Sequence, residues 1–179
     1  MTVFSAILLL VAAQRGTELI LAARNTRRLR AAGAVEIDAA SYPLFVLLHG
    51  GWLAVMAVAI PADTAPSWPL IGVFALLQLA RIWVIATLGR RWTTRIIVLP
   101  HVKPITSGPY RWCRHPNYLV VAGEIAVLPL AFSAVPLAAA FSLLNAALLA
   151  RRIPVETAAL QAGIAPSQPA APVLKLRNG

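Results

Sequence analysis

The sequence predicts an all-α, polytopic membrane bundle of about five transmembrane helices, with a polar loop ahead of the fourth and a further helix near the C-terminus. Three observations carry this. Hydrophobic residues make up 59% of the 179 positions, charged residues only 12%, and the mean hydropathy is +0.75. A soluble domain carries roughly a quarter charged residues, so this chain has too few polar side chains to coat a water-facing surface. Its apolar residues gather into long stretches, which points to a bilayer as the second solvent. All but two of the sixteen Lys and Arg residues, Arg15 and Arg81, fall in segments that would share one side of a membrane, as the positive-inside rule requires.

The same distribution sets aside nucleic acid as a partner. A net charge of +10 suits phosphate backbones in principle, but here the charge follows membrane topology. The single cysteine, Cys113, excludes an internal disulfide and any multi-Cys metal site, and no metal site is expected. The N-terminus reads as a mature helix rather than a signal peptide, because no Lys or Arg precedes its apolar run and Gln14, Arg15 and Glu18 interrupt it.

The first apolar segment runs from about Thr2 to Ala23 and ends in the basic stretch Arg24 to Arg30. The second covers about Tyr42 to Ile60, closed by Pro61, and the third about Trp68 to Leu88. At 1.5 Å per residue a ~30 Å hydrocarbon core takes about 20 residues, which these three satisfy. The fourth and fifth, about Tyr118 to Phe132 and Val135 to Ala150, are shorter and read as a hairpin that just crosses or stops partway. The basic segments 24–41, 89–117 and beyond 150 put the C-terminus in the cytoplasm and the N-terminus outside. One domain over 1–163 accounts for the membrane part, and 164–179 reads as a loosely ordered tail.

Ionisable residues inside apolar segments stand out, since each costs about 2.5–3.5 kcal/mol near a helix centre on insertion scales. Arg15 and Glu18 are three apart and can neutralise each other on one helical face. His49 precedes Gly50-Gly51, where helices can approach closely, so packing and substrate contact both stand. Arg81 lies about two turns from the end of its segment and is expected to snorkel to the interface, with a substrate role as the alternative. Glu124 has no basic neighbour in its own helix and needs a partner from elsewhere, a polar cavity or a proton.

The stretch Leu99 to Tyr118 is polar, basic and proline-rich between two membrane segments. Pro104, Pro109 and Pro116 restrict its backbone and Gly108 permits a tight turn, which suits a rigid binding loop. Pro116 is placed to open the fourth helix, and His115 with the free N–H groups there could hold an anion. Tyr110, Trp112 and Tyr118 could offer aromatic faces to a purine or a cation. The competing reading is an interfacial loop whose arginines meet anionic lipid and whose aromatics form the interface belt.

At these residues the chain resembles the isoprenylcysteine carboxyl methyltransferase family of integral membrane enzymes, and more closely a small bacterial branch of it. The resemblance rests on His101, on Gly108-Pro109-Tyr110, and on Arg114-His115-Pro116-Asn117-Tyr118. A hairpin over 119–150 follows, then Arg152-Ile153-Pro154-Val155-Glu156. It covers about residues 99–160, with weaker similarity through Asn25, Gly33 to Glu36 and Tyr42 to His49. Two positions depart from the family pattern. Thr157 stands where the family has a second glutamate, and Pro154 separates Arg152 from Glu156. A proline there predicts that the fifth helix ends near Ile153 and a new one starts at Pro154, stopping at Gly163.

The resemblance implies an S-adenosylmethionine-dependent O-methyltransferase acting on a lipophilic acceptor, carboxylate or acidic phenol or enol, that arrives from the bilayer. It implies that His101, Gly108, Tyr110, Arg114, His115, Pro116, Asn117 and Tyr118 hold the cofactor. Arg152 would hold the acceptor oxygen as its anion, with Glu156 orienting Arg152 or binding the cofactor's amino group; His49, Arg81 and Glu124 are candidate acceptor contacts. The family's eukaryotic namesake acts on prenylated protein C-termini, and the bacterial branch on acceptors such as long-chain phenols or pyrones. Two other readings remain: an NADPH-dependent sterol-type membrane reductase, which carries a related Arg-His-x-Asn-Tyr turn, and a non-enzymatic membrane interaction protein.

Overall fold

The computed structural model describes residues 1–164. From residue 165 on, the tail expected over 164–179 lies outside the described residues. Five helices follow in order: α1 Val3–Ala31, α2 Tyr42–Ala59, α3 Trp68–Leu88, α4 Pro116–Ala131 and α5 Val135–Ile164. Four are long and apolar enough to cross a membrane, and the chain is an integral membrane protein. Helix α4, 16 residues long, spans only about 24 Å at 1.5 Å per residue, and packs against α3 and α5.

Local chemistry explains the helix ends. Thr2 caps α1 by accepting the Ser5 amide, and Pro43, Pro69 and Pro116 sit in the opening turns of α2, α3 and α4, where a missing N–H costs nothing. Helix α1 does not stop at Ala23 but carries the basic stretch as two more turns to Ala31; arginine is a good helix former, so charge marks the edge of the bilayer without ending the helix.

Two short strands, β1 Val35–Ile37 and β2 Ile96–Val98, pair antiparallel with Glu36 opposite Ile97. They tie the α1–α2 connection to the segment after α3. Asn25, 1% exposed, adds a second tie by donating from Nδ2 to the backbone oxygens of Gly89 (3.2 Å) and Trp92 (2.8 Å).

The two halves of the bundle are built differently. Phe4, Trp52, Met56, Phe74, Leu128 and Phe132 belong to one apolar core between the start of α1, the end of α2, the start of α3 and the α4–α5 turn. Helices α3 and α4 come close where Gly123 faces Leu77: an added Cβ would lie 3.0 Å from Leu77 Cδ1, so the glycine there permits the contact. The basic half is hollow instead, and between the halves lies a belt of charge.

That belt corrects the expectation for Arg81. It does not snorkel; it is 5% exposed. Its Nε donates to Glu18 Oε1, its Nη2 to Glu18 Oε2, and its Nη1 to Glu124 Oε2 at 3.2 Å. Arg15 donates to Glu18 at 3.0 Å and to Glu124 at 2.5 Å, and Gln78 and Gln14 complete the carboxylates. Glu124, 0% exposed, thus finds its partners on α1 and α3. Two guanidinium groups and two carboxylates leave the cluster formally neutral, which is what makes charge tolerable at this depth.

The other correction concerns α5. Pro154 does not end it: the helix runs through to Ile164. A proline removes one backbone bond, here to the Ala150 carbonyl, and both Ala150 and Pro154 are exposed on the outside of the bundle. Contacts that Glu156 and Thr157 make beyond the proline, with Tyr118 and His115, hold that segment in line.

Candidate active site

A cavity of about 750 Å³ opens in the basic half, lined by residues of all five helices and of the segment between α3 and α4. That lies within the range of roughly 300–1,000 Å³ typical of small-molecule and cofactor sites. Tyr110, Arg114, His115, Asn117, Tyr118, Arg152 and Glu156 all line it, as do His49 and Arg81. Residues placed on one loop and one distant helix by the sequence therefore share one space.

The centre is the Tyr118 hydroxyl. It accepts a hydrogen bond from Arg152 Nε at 2.8 Å and donates to the Glu156 carboxylate. Arg152 and Glu156 are four residues apart on the continuous α5, so they lie on one helical face and close on the same phenol. Arg152, 6% exposed, also donates from Nη2 to the Thr94 carbonyl at 2.8 Å, and its guanidinium lies 4.6 Å from the Phe45 ring centroid. Its Nη1 has no protein partner among the described residues.

His115 caps the scene from the start of α4. Its ring stacks on Tyr118 at 5.4 Å between centroids. Its Nε2 is 3.1 Å from Thr157 Oγ1 and its Nδ1 3.6 Å from Glu156 Oε2. Thr157, the departure from the family's paired glutamates, is thus used: it bonds the histidine and fastens α5 beyond Pro154. Burial, with the Glu156 carboxylate second, pushes the Tyr110 hydroxyl above its ordinary range, so it stays a neutral donor.

Not every candidate reaches the cavity. His101 is exposed, with φ of 63°, and lies off the lining. Pro116 is buried as the first residue of α4, and its part is to start the helix. Gly108 adopts φ of +57°, and a Cβ there would lie 2.6 Å from Thr87 Oγ1; it lets the loop lie against α3. Gly108→Ala is expected to lower stability by about 1–2 kcal/mol, since both the left-handed backbone and the close approach disfavour a side chain. Thermal unfolding of the variant beside wild type checks it. Trp112 is 73% exposed, meets Trp83 edge-on at 5.6 Å and lies outside the cavity lining. Glu124 stands in the charge belt next to the cavity-lining Arg15 and Arg81.

Sequence reasoning missed several wall residues. Phe45 lines the cavity with Tyr42 and His49, at spacings of three and four that mark one helical face. Trp92 and Thr94 had no such signal, because their position depends on the β1–β2 pairing. Asn145, 1% exposed on α5, also lines the cavity with its Oδ1 unpartnered among the described residues.

Comparisons with known proteins place the chain in a family. The family model described as the isoprenylcysteine carboxyl methyltransferase (ICMT) family matches residues 70–162, from the first turn of α3 through the loop and α4 to near the end of α5. A Bacillus subtilis (strain 168) protein, printed as "Uncharacterized protein YpbQ", is 36% identical over 152 residues, covering 83% of this chain and 90% of that protein. No solved structure matches the chain. With the family match covering just over half of the chain and the relative most of its length, the chain belongs to the isoprenylcysteine carboxyl methyltransferase family of membrane methyltransferases.

Proposed function

We propose that this protein O-methylates a lipophilic acceptor, a carboxylate or an acidic phenol or enol, using S-adenosylmethionine. The observation that carries the reading is the Arg152–Tyr118–Glu156 constellation, in a cavity that extends from the basic loop to the charge belt at membrane depth.

The residues fit the cofactor. Asn117 Oδ1, buried and unpartnered among the described residues, is an acceptor in want of a donor such as an amino group. Arg114 can meet a carboxylate, Glu156 an ammonium, and Tyr110 and Tyr118 a purine face or a sulfonium. S-Adenosylmethionine supplies a methyl group on a positively charged sulfur. What the chain supplies is alignment at about 3–3.5 Å, which can account for much of the rate, and charge. Arg152, a planar cationic fork suited to oxyanions, holds the acceptor oxygen as its anion through the free Nη1. A carboxylate needs no base; for a phenol or enol the same contact favours the anion.

In this reading the loop and the end of α5 face the cytoplasm, the N-terminus lies outside, and the domain spans 1–163. His101 and Gly108 support the loop around the cofactor. His49 and Arg81 meet the acceptor, and Glu124 acts on it through the guanidinium groups it holds.

Two measurements test this. Incubation of the purified protein with labelled S-adenosylmethionine and a total lipid extract is expected to give a labelled, base-stable ether or a methyl ester. S-Adenosylhomocysteine at a hundredfold excess over its Kd is expected to stabilise the fold by about 2.7 kcal/mol, and NADPH to leave it unchanged. Stabilisation by NADPH alone would favour the sterol-type reductase, and stabilisation by neither a non-enzymatic interaction protein.

A further inference from the structure

Arg152 is aimed by groups that lie outside the family motif. Its Nη2 donates to the Thr94 backbone oxygen at 2.8 Å, and its guanidinium rests over Phe45. Thr94 lies two residues before β2, next to Arg95, and Phe45 sits one turn into α2. Both elements are tied by a single buried carboxylate on β1. The side chain of Glu36 is 6% exposed and accepts from Arg95 Nη1 at 2.6 Å and from Arg30. Arg95 in turn lies over the Tyr42 ring at 3.9 Å, at the start of α2. The Tyr42 hydroxyl accepts from Thr94 Oγ1 at 3.5 Å, and Thr93 Oγ1 donates to the Arg95 carbonyl at 2.6 Å.

We propose that Glu36 is a positioning residue for methyl transfer: by anchoring Arg95 on Tyr42 it fixes the Thr94 carbonyl and the Phe45 face that aim the Arg152 guanidinium. This rests on the role given to Arg152 above. A ribbon of two three-residue strands is marginal by itself, yet a catalytic group needs support good to about 0.5 Å, and a misplacement of about 1 Å can lower the rate roughly a hundredfold. The ion pair between the buried Glu36 carboxylate and Arg95 supplies what the ribbon lacks. Of its two arginine partners, Arg95 has a side chain 31% exposed and Arg30 one 54% exposed, so the anchoring runs through Arg95 and the Arg30 pair is screened by water.

The test uses the full chain, labelled S-adenosylmethionine and total lipid extract, with S-adenosylhomocysteine binding measured in parallel. Glu36→Gln is expected to slow transfer about tenfold while leaving the S-adenosylhomocysteine Kd within about twofold; Glu36→Asp recovers part of the rate, and Arg30→Ala changes it less than about twofold. The discriminating measurement is a double-mutant cycle. In an Arg152→Lys background Glu36→Gln is expected to add less than about twofold, because the group it aims is gone. An equal tenfold loss in both backgrounds, or a loss of S-adenosylhomocysteine affinity parallel to the loss of rate, overturns the proposal and leaves Glu36 a general structural residue. Wild-type rates in Arg152→Lys alone would instead overturn the role of Arg152, and no transfer by the wild-type chain the proposed function itself.

Discussion

Replacing Arg152 with Ala is expected to lower turnover by about 10²–10³, the range seen when one donor to a developing or localised anion is removed, while S-adenosylhomocysteine still binds within about threefold. The asymmetry follows from geometry. Arg152 contacts protein through Nε and Nη2, so what the mutation takes from a bound ligand is the contact of Nη1. Tyr118 and the Thr94 carbonyl lose a partner, and each unpaired group costs about 1–3 kcal/mol, so stability falls as well. Arg152→Lys separates the effects. A lysine keeps the charge but is a point donor that cannot reach Tyr118, Thr94 and an acceptor oxygen from one planar fork. Its turnover is expected to stay at least tenfold below wild type. Single-turnover rates beside S-adenosylhomocysteine titrations decide the matter; near-normal turnover in either variant rejects the role.

How much of this was legible in the sequence depends on the range of the interaction. Helix positions followed from apolar length, and the pairing of Arg15 with Glu18 from a spacing of three residues. The meeting of loop and helix end at Tyr118 was carried by the resemblance, through Arg114 to Tyr118 and Arg152 to Glu156. Local rules misled at Pro154 and Arg81. The proline rule weighs one lost backbone bond, whereas the Tyr118–Glu156 and His115–Thr157 contacts that outweigh it come from 38 and 42 residues away. Snorkelling assumes that an intramembrane arginine has no partner at its own depth, and Arg81 has two, one 63 and one 43 residues distant. The β1–β2 ribbon is three residues a strand, too short for an alternating pattern to register, and with it went any sign of Thr94 and Trp92.

The charge belt yields the largest expected effect on stability. Glu124→Leu removes the carboxylate shared by Arg15, Arg81 and Gln78 and leaves two guanidinium groups facing Glu18 alone, a net positive charge at membrane depth. Breaking one side of a buried pair costs about 3–5 kcal/mol, which for a chain of this size corresponds to a fall in Tm of about 6–20 °C. Arg81→Met leaves the opposite excess and is expected to cost as much. The combined Arg81→Met, Glu124→Leu variant removes one charge of each sign and keeps Arg15 on Glu18 at 3.0 Å. It is therefore expected to be more stable than either single variant, because replacing both members of a buried pair by apolar groups is often close to neutral. Thermal unfolding of the four proteins in one detergent measures the coupling. Simple additivity would mean that the two residues act apart. A strong coupling would explain why so apolar a bundle keeps four charges in its middle: apolar helix faces have little preference for one another over lipid, whereas Glu18 and Glu124 meet Arg15 and Arg81 in only one register of α1 against α3 and α4, and that register forms the cavity wall.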